Sequence, residues 1–214
     1  VVLRMMRAIL PIRQAMSPTG FGETVSECDG HVVLIGEGCN EAAAQLHGIA
    51  REITIIEAGS FAPAAWARFL ARHLAADDIL VLPTSPDGRA LAPRLAHELS
   101  VNLYAGAVRV SPSGVDLARW GGRSIESVVP APRFVATLQV GARDISRVPG
   151  DAVISHLDYS TNDTTRDATV GSISPPDITS IDLAEASRIV AGGAGIAEES
   201  TFVMLGSVAT ALGA

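Results

Sequence analysis

Apolar positions along the first hundred residues follow two alternating rhythms. Continuous apolar runs at Arg7–Ile12, His31–Gly36, Ile53–Ile56 and Ile79–Leu82 predict short strands buried on both faces. Between them, apolar residues recur at helical spacing. Glu23–Cys28 predicts a short helix, and Asn40 is placed to cap an alanine-rich helix through Leu46 that Gly48 ends. Pro63–Ala75 carries Trp66, Phe69, Leu70 and His73 on one face, and Arg89–Leu99 sets Leu91, Leu95 and Leu99 in register. Strands alternating with helices through short loops require crossover connections. The expected fold is therefore α/β, a mostly parallel sheet with helices on both faces, three layers in all.

After Ser100 the rhythm changes. Leu103–Val110, Val115–Trp120, Ser124–Val129 and Phe134–Val140 alternate like strands, with turns at Ser111–Gly114 and Gly121–Gly122. They are expected as antiparallel additions to the sheet or its rim, and Val153–Leu157 as one more strand. From Ser160 to Ile181 the chain is rich in Thr, Ser, Asp and Pro, which predicts a linker or a weak edge strand around Ala168–Ile173. A domain boundary is expected near Ser180, giving domains 1–180 and 181–214. The second begins with a short apolar segment ending in Arg188–Ala191, a glycine turn at Gly192–Gly195, and an amphipathic helix from Ala197 to Leu212. Read as strand, turn and helix start, this brings backbone amides and the positive end of a helix dipole close to any bound anion. Gly-Gly-x-Gly lacks the full spacing of the dinucleotide fingerprint, and many strand–helix turns of this kind bind nothing.

Composition narrows the range of partners. The chain has 214 residues, 48% of them hydrophobic and 4% aromatic. That is enough for a sizeable core, yet no stretch reaches the roughly 18 apolar residues of a membrane-spanning helix. All 16 basic residues are Arg, which we read as coding bias. Residues 1–150 hold 14 Arg and 14 acidic residues, whereas residues 151–214 hold 2 and 9, so the net charge of −7 belongs to the last third. Nucleic acid is not an expected partner, because phosphate binding needs a positive surface. Cys28 and Cys39 have no CxxC spacing and are expected reduced and buried, as in a cytoplasmic protein. The five histidines are scattered without ligand spacing, so no metal site is expected. Arg7, Pro11 and Arg13 interrupt the apolar N-terminus, unlike an export signal, and Met5 or Met6 is the expected biological start.

Candidate chemistry is sparse. Thr84–Arg89 lies between a strand and a helix, where α/β sheets place ligands. It reads as a nucleotide or phosphate loop, or as a helix cap in which Ser85 or Asp87 accepts backbone N–H bonds and Arg89 pairs with a carboxylate. Without a P-loop lysine, the cap is favoured. Arg119, Arg123 and Arg133 are candidates for contact with a partner or an acidic ligand, or are solvated arginines of the sheet surface. No nucleophile elbow and no acid–base pair emerges, so no catalytic residue is assigned.

Two stretches taken together resemble the electron transfer flavoprotein alpha subunit. Thr84–Ser85–Pro86–Asp87–Gly88–Arg89–Ala90–Leu91–Ala92–Pro93–Arg94–Leu95–Ala96 is similar to that family's "GRDLAPRLA" helix, with Ala90 where Asp is usual. Arg119–Val140 resembles the β segment that follows it. Asp182–Ile196, including Gly192–Gly193–Ala194–Gly195, is similar to the start of the family's flavin-binding domain, with Ala194 where Arg is usual. The resemblance implies the first β-α unit of a Rossmann-like flavin domain over 181–214, with cofactor-binding positions Gly192, Gly193, Ala194, Gly195 and Ile196. It further implies an FAD-dependent electron carrier that works with a beta subunit between dehydrogenases and a quinone reductase. Most of the flavin pocket is then expected beyond Ala214. Two alternatives stand beside it: a flavin-free module docking a beta-type subunit, and a nucleotide-binding α/β domain using Thr84–Arg89.

Overall fold

The computed structural model describes residues 5–74, 79–160, 166–169, 171–172, 186, 188–196 and 198–213. The chain divides into two compact units, Val1–Val170 and Gly171–Ala214.

Among the described residues, the first unit is built on a nine-stranded sheet. In chain order its elements are β1 (Met6–Ile12), α1 (Phe21–Glu27), β2 (His31–Gly36), α2 (Cys39–Ala42) continued by a 3-10 turn (Ala43–Leu46), β3 (Glu52–Glu57), α3 (Pro63–His73), β4 (Ile79–Pro83) and α4 (Pro86–Leu99). There follow β5 (Asn102–Ser111), β6 (Gly114–Arg119), β7 (Ser124–Val128), β8 (Phe134–Leu138) and β9 (Val153–His156). The strand order is β7-β6-β5-β8-β4-β1-β2-β3-β9. All neighbours run parallel except β5–β6 and β6–β7, which are antiparallel. The expected α/β fold is present, a mostly parallel sheet covered on both faces.

Alternation along each strand divides the core in two. Ala8, Leu10 and Ile12 of β1 face the layer that holds α1 and α2, through Val25, Ala42 and Leu46. Ile9 faces the opposite layer, where Trp66 and Leu70 of α3 meet Leu91 and Leu95 of α4. A strand packed on both faces exposes no position to water, which favours the unbroken apolar runs of β1, β2 and β4.

Four expectations are corrected. Phe134–Leu138 is no rim addition: β8 lies parallel between β4 and β5, buried at every position. Only β6 and β7 extend the sheet antiparallel. α4 starts at Pro86, three residues before Arg89, because Ser85 accepts the Gly88 N–H at 3.2 Å and Pro86 supplies the preset φ of a first helical position. Asn40 is not the cap of α2; Gly38 holds that position in the left-handed region (φ 76°), and Asn40 turns its side chain to Glu57. The strand expected before the glycine turn does not form at Arg188–Ala191. A strand needs a neighbouring backbone to pair with, and every paired strand described lies between Met6 and His156. The expected edge strand around Ala168–Ile173 falls partly outside the described residues; Ala168, Thr169, Gly171 and Ser172 are not in a strand.

Candidate functional site

Each unit has a candidate ligand-binding place. In the first, the chain leaves β1 towards β2 and β3 and returns to pair β4 on the other side of β1. Beyond the carboxyl ends of β1 and β4 lies the topological switch point, the usual ligand crevice of such sheets. Thr84–Arg89 stands at its edge, as the sequence placed it. The crevice is bridged by the protein itself. The Arg13 guanidinium, which follows β1, makes a bidentate pair with Asp87 in the first turn of α4: Nε to Oδ2, and Nη2 to Oδ1 at 2.7 Å. This hydrogen bonding to Asp87 raises the Arg13 pKa from its ordinary value, against the opposing effect of burial. The same guanidinium sits 4.7 Å over the Phe61 ring, and Phe61 meets Trp66 edge to face at 5.2 Å. Arg89, expected to pair, makes no ion pair among the described residues.

Helix N-termini at this end of the sheet would be the natural anion receptors. Those of α2, α3 and α4 are served by a side chain of the protein, whereas α1, with Gly20 at its cap position, has no side-chain cap bond. Glu57 accepts from Gly38 N at 3.1 Å and Asn40 N at 2.9 Å at the start of α2. Asp167 accepts from Ala64 N at 3.1 Å and Ala65 N at 2.8 Å at the start of α3. Ser85 serves α4. Close backbone approach leaves little room to rearrange: a Cβ on Gly88 would stand 2.0 Å from Pro83 O, and one on Gly36 the same distance from Ile12 O. The geometry matches the capping reading of Thr84–Arg89 and offers a phosphate no free donor at these three helix ends.

The second unit contains the glycine turn. Gly192, Gly193, Ala194 and Gly195 are exposed, and the turn closes through Ile196 N to Gly193 O at 3.1 Å. A Cβ on Gly192 would come within 2.7 Å of Ile196 Cδ1 and 3.2 Å of Leu205 Cδ2, the ends of flexible side chains that can shift to admit it. Gly193 and Gly195 face open space. The turn leads into α5 (Glu199–Leu212), whose N-cap is Glu198 without a side-chain cap bond. Glu198 and Glu199 set two carboxylates on the positive end of the helix and offset its dipole. At the other end, Arg188 donates to Leu212 O at 2.7 Å, a cation at a helix C-terminus. No described residue of α5 is buried; Phe202 is 62% and Val203 67% exposed.

Open backbone at Gly193 and Gly195 suits close approach of a pyrophosphate. With Ala194 in the turn and two glutamates at the helix start, its negative charge has no cation to meet among Gly192–Glu199. Nor do these exposed residues enclose an isoalloxazine ring. The described part of the second unit does not by itself fit FAD.

Remaining candidates are dispersed. Arg119 is committed to Glu126 across β6–β7 at 3.0 Å, Arg123 is exposed at the hairpin tip, and Arg133 is half-buried before β8. Cys28 and Cys39 are buried free thiols, as expected. No group of metal-binding side chains occurs among the described residues, and no described helix is long and apolar enough to cross a membrane. The sequence reading missed Arg13, Glu57 and Asp167. Only Arg13 carried a signal, standing directly after a predicted strand at a sheet's carboxyl edge.

The first unit is thus a doubly wound α/β domain with its switch point bridged by an internal ion pair. In sequence, the chain is similar to electron transfer flavoprotein subunit alpha of Bacillus subtilis (strain 168), 29% identical over 147 residues. The match covers 64% of this chain and 44% of that protein, so the chain matches less than half the length of its relative. This likeness marks a distant relationship to the electron transfer flavoproteins. No family model matches the chain.

Proposed function

We propose that this chain is an alpha-type subunit component of an electron transfer flavoprotein, with the N-terminal α/β domain over 1–180 and the start of the FAD-binding domain over 181–214. It works with a beta-type subunit, carrying electrons from dehydrogenases to a quinone reductase. The observation that carries this reading is the likeness over 147 residues, in a chain whose first unit has a doubly wound sheet. FAD, when bound, supplies the redox chemistry. This chain's contribution is a rigid scaffold and the turn Gly192–Ile196, where open backbone lets a diphosphate approach. Because that turn brings no cation and no enclosing wall, FAD affinity of the 214 residues alone is weak or nil, and tight binding requires further protein.

The test is titration of the purified chain with FAD, followed by quenching of flavin fluorescence, with and without a beta-type subunit. The expected result is no saturation by the chain alone at micromolar concentrations, and a co-purifying flavin-bearing complex with the partner. Tight binding by the isolated chain would refute the shared-pocket reading. Failure to associate with any beta-type subunit would refute the carrier assignment. The acidic start of α5 at Glu198 and Glu199 and the exposed apolar side chains of that helix favour one second reading, a docking module that holds the beta-type subunit without flavin. A stable flavin-free complex that stays colourless on addition of FAD would select it.

A further inference from the structure

At the end of the sheet opposite the switch point, three segments distant in sequence line a small cavity of about 80 Å³ that is open to solvent on one side. Buried Ser26, Gly30 and Ile49 line it together with three arginines, Arg51, Arg143 and Arg147, and one acidic residue, Asp29. The segments are fixed to one another. Ser146 N donates to Ser26 Oγ at 2.9 Å, Val148 N to Gly48 O at 2.8 Å, and Arg51 N to Gly30 O at 2.8 Å. Gly30 is required there: its φ is +84°, and a Cβ would meet Arg51 N at 2.8 Å.

The charges around the cavity do not balance. Arg143 is neutralised by Glu27 at 2.8 Å and also donates to Ser26 O and Ser146 Oγ, each at 2.9 Å. Arg51 donates to the backbone carbonyl of Asp29 at 3.1 Å, not to its carboxylate. Among the described residues, neither Arg51 nor Arg147 has a carboxylate within 4.0 Å. Arg147 instead extends over Gly48, its Nη1 3.3 Å from where a Cβ would sit. Three arginines against two nearby carboxylates, Glu27 and Asp29, leave the cavity with an excess of positive charge, and guanidinium forks match oxyanion geometry. The volume equals two or three waters at about 30 Å³ each, which suits one small oxyanion and is too little for a nucleotide.

We propose that Arg51, Arg143 and Arg147 form a binding site for one tetrahedral oxyanion, phosphate or sulfate, free or as the terminal group of a monoester. Bound there, the anion ties the connection between β8 and β9 to the turns preceding β2 and β3. The site is independent of any flavin, and its test does not involve one. The full chain is titrated with inorganic phosphate and with phenyl phosphate at constant ionic strength held by sodium chloride, following arginine Nε–H signals by NMR. The expected result is saturable shifts of the Arg51, Arg143 and Arg147 signals, absent with chloride alone. Arg147→Gln is expected to weaken phosphate about tenfold, while Arg123→Gln at the hairpin tip leaves it unchanged. Equal binding of the monoester identifies a carried phosphate as a fitting ligand; binding of inorganic phosphate alone identifies the free ion. Shifts that never saturate, or an affinity indifferent to Arg147→Gln, would overturn the site.

Discussion

Both thiols of this protein are sealed in apolar surroundings, and burial decides their chemistry. Desolvation pushes the Cys39 thiol up to about 12, and Cys28 well above its ordinary value, with nearby carboxylates adding to both. A thiol at about 12 is ionised to only about one part in ten thousand at pH 8. Iodoacetamide at pH 8 should therefore leave the folded chain unmodified and label both cysteines once urea unfolds it, as read by mass spectrometry. Because the folded thiol stays protonated where the unfolded one ionises, the stability it contributes is present below pH 9 and is lost as pH rises towards 12. Glycines separate just as sharply. Gly88→Ala drives a methyl against the Pro83 carbonyl, which cannot swing aside, and should destabilise by about 1–3 kcal/mol in urea unfolding. Gly193→Ala adds a methyl to open space and should stay within about 0.5 kcal/mol of the parent. The sequence shows both glycines as turn residues; which one touches backbone depends on the strand beside it.

At the scale of elements, what the sequence disclosed and what it withheld have distinct physical causes. The runs of β1, β2 and β4 were legible because burial on both faces imposes a continuous apolar pattern. The position of β8 was not, because Phe134–Leu138 carries the pattern of a buried strand but nothing that specifies its neighbours. Its place between β4 and β5 is set by pairings such as Leu80↔Val135 and Asn102↔Phe134, which join residues far apart in sequence. The segment Arg188–Ala191 has strand-like residues and no strand, since pattern supplies propensity but not a partner. The caps show the same division. Ser85 was readable beside its own helix, whereas Asp167 reaches α3 across more than a hundred residues. Its carboxylate does for Ala64 and Ala65 what an N-cap side chain does, while Ala62 at the cap position makes no such bond. Asp167→Ala should cost about 1 kcal/mol of first-unit stability, measured by denaturant unfolding. Asp167→Asn, which keeps an acceptor, should recover part of it, and equal losses from both would argue against a capping role.

For the molecule as a whole, the contrast between its two units sets where order resides. The first unit buries its sheet between two helical layers, and residues such as Ile9, Leu34, Val81 and Val135 are inaccessible. Amides of β1, β2, β4 and β8 should exchange with solvent only through global unfolding, at the full stability of the domain, about 5–15 kcal/mol. α5 has 14 residues and buries none of those described. Its Gly213 and Arg188 cap one end, but a helix of that length without a buried face is marginal in water. Its amides should therefore open with a free energy of about 1 kcal/mol or less, giving fast exchange beside a protected sheet. In the proposed assembly, adding a beta-type subunit should slow exchange across Phe202–Leu212 and leave the β1 and β2 amides as they were. Exchange in α5 as slow as in β1, in the chain alone, would mean that the helix is already covered and needs no partner. A partner that binds while leaving α5 in fast exchange would place docking elsewhere and remove the exposed helix from the argument for assembly.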